Sequence, residues 1–172
     1  MNLLRNAVVI LDKLGLVKEA FAHCDIPCGI YDPHLAQMAA HTVIRMVNLI
    51  EELPKITPDM APEQRRDALH KLNRYISVKE EHAELCKKEL RILWGDYFRP
   101  EHIQKFPEIH ELVWKAMKLA SKARQEINLQ ASEELLETTN KIAEIFWKTK
   151  DIKTQKVKAP YSTAKETVYP KL

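Results

Sequence analysis

Four stretches of this chain repeat apolar residues every three to four positions, with prolines near several of their ends. That pattern makes helices the natural building blocks. Asp32 and Pro33 read as an N-cap followed by proline at the first helical position, where its missing N–H is no loss. Leu35, Met38, Thr42, Met46 and Leu49 then form a stripe that ends before Pro54. Pro62 opens a second helix, with Leu69, Leu72, Ile76, Ala83, Cys86, Leu90 and Leu93 along one face. Pro107 opens a third, carrying Ile109, Leu112, Val113, Ala116, Ala120, Ala123 and Ile127. A fourth is predicted from Ser132, read as its N-cap, with Leu135, Thr139, Ile142 and Phe146 on its buried face. Neither glycine nor proline marks the junction of the last two helices. Only 3 glycines occur in 172 residues, fewer than hairpins and bulges usually require. The expected fold is all-α, an up-and-down four-helix bundle.

Composition narrows the class. Hydrophobic residues make up 45% and charged residues 30%, a globular balance with enough chain for one core-bearing domain. No apolar run approaches the roughly 20 residues that cross a bilayer, so no membrane partner is expected. The formal charge is +3, and seven lysines fall between Lys148 and Lys171. They read as a solvated, extended basic tail over 151–172 rather than a nucleic-acid surface. Residues 1–22 carry an early Arg5, a short amphipathic pattern (Leu4, Val8, Leu11, Leu14) and a small-x-small end, Ala20-Phe21-Ala22. A removable pro-segment is preferred there over a retained first helix or an export signal.

Three cysteines cannot all pair, which argues against a disulfide framework. Cys86 shares a stripe with Ala83 and Leu90 and reads as a buried, inert thiol. Cys24 and Cys28 flank a proline turn in "HCDIPCGIYDP", residues 23–33, with no helical stripe around them. A di-iron bundle site needs Glu three residues before His on two helices, and only Asp67 precedes a histidine, His70, at that spacing. Cys-x-x-x-Cys is neither a redox dithiol spacing nor the paired motif of a structural zinc site. If cleavage after Ala22 makes His23 the terminus, its amine and the Cys24 amide nitrogen close one five-membered chelate. That nitrogen and the Cys24 thiolate close another, and Cys28 returns as a fourth ligand. Two nitrogens and two thiolates in a plane suit nickel(II) or copper(II), with the His23 imidazole left for an axial face.

These residues resemble the nickel-containing superoxide dismutases. The similarity lies in "HCDIPCGIYDP", in "LWGDYFRPEHIQKFPEIHELV" at 93–113 and in "IFWKTK" at 145–150, and spans roughly 23–150. It implies a four-helix-bundle subunit with an N-terminal metal-binding hook, a homohexamer and a maturation protease that removes the segment ahead of His23. It implies nickel held by the His23 amine, the Cys24 amide and thiolate and the Cys28 thiolate, with the His23 imidazole axial in the oxidised state. Tyr31 would stand over the open face and limit entry to small ligands. Asp25, Pro27 and Gly29 would shape the hook, with a cis bond before Pro27. Tyr97 matches a tyrosine near the site across a subunit contact, and Arg99 replaces a lysine. The family's glutamate and arginine support for the axial imidazole falls on Ala39 and His82, which leaves His82 as a candidate to take over part of that role.

The expected activity is disproportionation of superoxide to dioxygen and hydrogen peroxide, with nickel alternating between 2+ and 3+. The rival is a nickel- or copper-binding helical protein without turnover, a store or chaperone. A purely structural bundle whose hook is a solvent-facing turn is a third reading. The compartment expected by default is cytoplasmic.

Overall fold

The computed structural model describes residues 29–172. The chain divides into two units, Met1–Ile30 and Tyr31–Leu172, and every described helix and strand belongs to the second. The predicted pro-segment 1–22 and the hook residues His23, Cys24, Asp25, Pro27 and Cys28 lie outside the described residues.

The helices are α1 (His34–Glu51), α2 (Pro62–Ile92), the short α3 (Pro100–Lys105), α4 (Ile109–Gln125) and α5 (Leu129–Thr149). A π-helical turn, Leu93–Tyr97, continues directly from α2. The long helices meet in a ring: α1 on α2, α2 on α4, α4 on α5, and α5 on α1. The main core between them is built from Ala39, Ile44, Cys86, Leu90, Val113, Leu135 and Phe146 among others. Among the described residues, no helix is long and apolar enough to cross a membrane.

Helix α1 buries a different face from the expected stripe. Leu35 and Met38 are exposed, whereas Ala36, Ala39, Ala40, Val43, Ile44 and Val47 are fully buried. Side chains as small as alanine let a neighbouring helix approach closely, so the packed stripe is set by fit as much as by bulk. Asp32 does act at the start of α1: its Oδ1 accepts from the His34 amide at 2.7 Å.

The junction of α4 and α5 has its signals elsewhere than expected. Asn128, not Ser132, caps α5; its Oδ1 accepts from the Ala131 amide at 2.9 Å. Ser132 lies buried inside the helix and donates back to the Asn128 carbonyl. The end of α4 is closed by Lys79 of α2. Its ammonium donates to the carbonyls of Ala123, Arg124 (2.8 Å) and Glu126 (2.9 Å). Helix-terminal carbonyls carry partial negative charge and lack intrahelical donors, so a buried cation there satisfies three acceptors at once.

The segment after Lys150 corrects the expectation of an extended basic tail. Helix α5 ends in a Schellman motif: the Ile152 amide bonds the Trp147 carbonyl, the Asp151 amide bonds that of Lys148, and Asp151 takes a φ of 56°. Strands β1 (Thr154–Lys158) and β2 (Glu166–Pro170) follow as an antiparallel hairpin, with Lys156 opposite Val168. Val168, Thr167 and Ala159 are buried. The fold is therefore mostly helical, as expected, with a small two-stranded sheet added. Two isolated strands are marginal in water, so this pair is ordered by what it docks on. Gln37 of α1 donates to the Val168 carbonyl at 3.1 Å, and Asn140 of α5 donates to that of Glu166 at 3.0 Å. Lys156 and Lys165 pair with Glu137 and Glu133 of α5, so part of the lysine excess is spent on glutamates.

Candidate functional site

The last described residues before the helical body are Gly29 and Ile30. Gly29 has a φ of +70° and nothing within 4 Å of where a Cβ would sit. The demand for glycine there is conformational, not steric.

Tyr31 is half-buried and its ring lies 5.4 Å from that of Tyr97, inclined by 52°. Tyr97 is the last residue of the π-helical turn, a form that inserts an extra residue and re-aims the side chains after it. Within one chain the structure therefore brings together two of the tyrosines singled out in the sequence. Tyr97 is also packed by Phe146 at 4.5 Å, by Phe98 at 5.3 Å and by the stacked ring of His102 at 5.6 Å. Its hydroxyl is 2.6 Å from Thr149 Oγ1. The Lys150 ammonium lies 5.2 Å from the centroids of both the Tyr97 and Phe146 rings, a cation against two aromatic faces. Thr149 and Lys150, with no role read from the sequence, complete this cluster. The signal was present in "IFWKTK", but local spacing does not reveal that this helix end meets the turn at 93–97.

Arg99 precedes α3 and is exposed; it lines an open groove of about 590 Å³ with Trp94, Phe98, Ile103 and His110. His82 is half-buried on α2, and its Nδ1 donates to the Val78 carbonyl at 2.9 Å. A carbonyl only accepts, so the neutral His82 ring carries its proton on Nδ1 and presents Nε2 as an acceptor. Ala39 is buried in the main core.

Cys86 is fully buried and within 3.7 Å of Thr139 Oγ1. Burial pushes its thiol up to about 12, with the Thr139 contact opposing weakly. A thiol so held is mostly un-ionised at neutral pH, which argues against Cys86 as a metal ligand. Among the described residues, no group of three or more His, Cys, Asp or Glu side chains gathers to hold a metal ion.

A mostly helical body preceded in sequence by a His-Cys-x-x-x-Cys stretch is the class of small helical protein defined here. Residues 18–150 match the family model described as nickel-containing superoxide dismutase. The "Superoxide dismutase [Ni]" of Streptomyces seoulensis is 39% identical over 129 residues, which cover 75% of this chain and 88% of that protein. Its namesake from Streptomyces coelicolor is 36% identical over the same shares. A crystal structure of Ni-containing superoxide dismutase, with nickel ligation corresponding to the state after partial X-ray-induced reduction, superposes with a TM-score of 0.64. It is 36% identical and is covered over 99% of its length by 75% of this chain. The chain belongs to the nickel-containing superoxide dismutase family.

Proposed function

We propose that this protein is a nickel-dependent superoxide dismutase whose mature form begins at His23. Two superoxide ions and two protons give one dioxygen and one hydrogen peroxide. Bound nickel supplies the one-electron chemistry between its 2+ and 3+ states. The donor set fits that metal: the amine of His23, the amide nitrogen of Cys24 and the thiolates of Cys24 and Cys28 would hold nickel. The His23 imidazole would add a further nitrogen ligand to the oxidised metal. Asp25, Pro27 and Gly29 shape the hook, and Gly29's left-handed backbone supports that role.

The remaining residues act on access and support. Tyr31 follows Cys28 by three positions and limits the open face to small ligands, and Tyr97 backs its ring. His82, with Nδ1 committed to Val78, keeps Nε2 as an acceptor and is the residue that takes over part of the family's charged support for the axial imidazole. Arg99 contributes positive charge near the entrance. The subunit is an up-and-down four-helix bundle with an N-terminal hook, assembled as a homohexamer after a maturation protease has removed residues 1–22. The compartment is cytoplasmic.

The observation that carries this reading is the match over 18–150, which includes an intact His-Cys-x-x-x-Cys hook. Its test is one preparation of processed protein measured for nickel content, nickel(III) spin resonance and superoxide disappearance. Stoichiometric nickel, a nickel(III) signal and rapid turnover are expected, with intact mass starting at His23. Bound nickel without turnover would return the protein to the store or chaperone reading. Full activity with residues 1–22 attached would refute the amine ligand.

A further inference from the structure

Thr149 sits beside the aromatic cluster with a hydroxyl that makes two hydrogen bonds. A threonine hydroxyl has one proton and two lone pairs. That proton goes to the Phe146 carbonyl at 2.7 Å, one turn back in α5. The 2.6 Å contact to Tyr97 can then run one way only: the Tyr97 phenol donates and Thr149 accepts. Tyr97 has a single proton, and it is committed to the helix end. The phenol is thereby fixed in rotation, and so is the face that it turns toward Tyr31.

We propose that Thr149 is a positioning residue for substrate entry: by taking the Tyr97 proton it locks the ring against which Tyr31 rests. Thr149 does not touch the reacting atoms. It sets how far Tyr31 can swing, and so how often the gate stands in the geometry that admits a small anion. Among the described residues, the charged and titratable groups that meet the Tyr97 ring are Tyr31 before α1, His102 on α3 and Lys150 at the end of α5. The inference rests on the dismutase reading and on Tyr31 as the entry residue.

The test uses processed, nickel-loaded, full-length protein carrying Thr149→Val, which keeps the shape and removes the acceptor, and Thr149→Ser, which restores it. Each is made alone and in a Tyr31→Ala background. Thr149→Val is expected to lower kcat/KM for superoxide about threefold to tenfold, the range of one neutral hydrogen bond, with kcat changed less than about twofold. Nickel content stays stoichiometric, and Thr149→Ser recovers the wild-type value. In the Tyr31→Ala background, Thr149→Val adds no further loss. An unchanged kcat/KM, an equal loss without Tyr31, or failure of serine to rescue overturns the proposal. Should Thr149→Val not fold, Tyr97→Phe removes the same bond from the donor side. It must show the same loss, again abolished by Tyr31→Ala. Wild-type protein that binds nickel without turnover defeats the dismutase reading itself, whereas active wild type with an indifferent Thr149→Val defeats only the positioning role.

Discussion

His41 and Thr167 stand 126 positions apart in the chain, yet Nε2 of one lies 2.7 Å from Oγ1 of the other. Nδ1 of the same ring is 2.8 Å from Thr163 Oγ1, and Tyr161 meets its edge at 5.0 Å. One histidine of α1 is thus gripped by the hairpin on both nitrogens. Burial first, and repulsion from His34 second, lower its pKa from 6.5 to about 4. The folded protein holds this ring neutral, while the unfolded chain protonates it near 6.5. Stability from this source is complete above about pH 6.5 and is lost as pH falls from there toward 4, by about 3 kcal/mol in all. Thermal unfolding measured between pH 7 and 4 should show this decline. In His41→Gln the slope over that window should be much shallower, and an identical slope would remove His41 as its source.

A chain ending at Lys150 should fold less stably. Truncation removes the buried Val168 and Thr167 and leaves Gln37, His41 and Asn140 without their hairpin partners. A loss of about 2–4 kcal/mol follows from these contacts. At roughly 2–4 °C per kcal/mol for a domain of this size, calorimetry should find a Tm fall of about 5–15 °C.

Lys79→Met keeps most of the aliphatic volume and removes the ammonium that closes α4. Three carbonyls then lose a charged donor, for a cost of about 2–3 kcal/mol. Urea unfolding should report a lower midpoint at unchanged slope. Amide exchange should quicken first at residues 123–126, ahead of the rest of α4.

Thiol titration should separate the three cysteines. In processed protein stripped of nickel, Cys24 and Cys28 should react readily with a disulfide reagent at pH 8. Cys86, buried and pushed up to about 12, should react only on unfolding. Three reactive thiols in the native apoprotein would contradict the burial of Cys86.

Much of the helical frame was legible in the sequence, because it is written in local chemistry. Asp32 with Pro33 announces α1, Pro62 opens α2, and Leu135, Thr139, Ile142 and Phe146 are the inward face of α5. The inward face of α1 was not legible. Alanines carry little hydrophobic signal, and they became core only through the close approach of neighbouring helices. The α4–α5 junction escaped for a related reason: Lys79 closes it from 44 positions away.

The order and spacing of residues alone carry the hook proposal, since chelate rings between a terminus, its neighbouring amide and two thiols depend on covalent connectivity. They determined most helix starts too, because capping acts within a turn or two. Only the tertiary structure decided that Tyr97 backs Tyr31 and hangs from Thr149, and that 154–170 is a docked hairpin. Those contacts join residues separated by tens to more than a hundred positions. Their free energy comes from water excluded between elements, which no local pattern encodes.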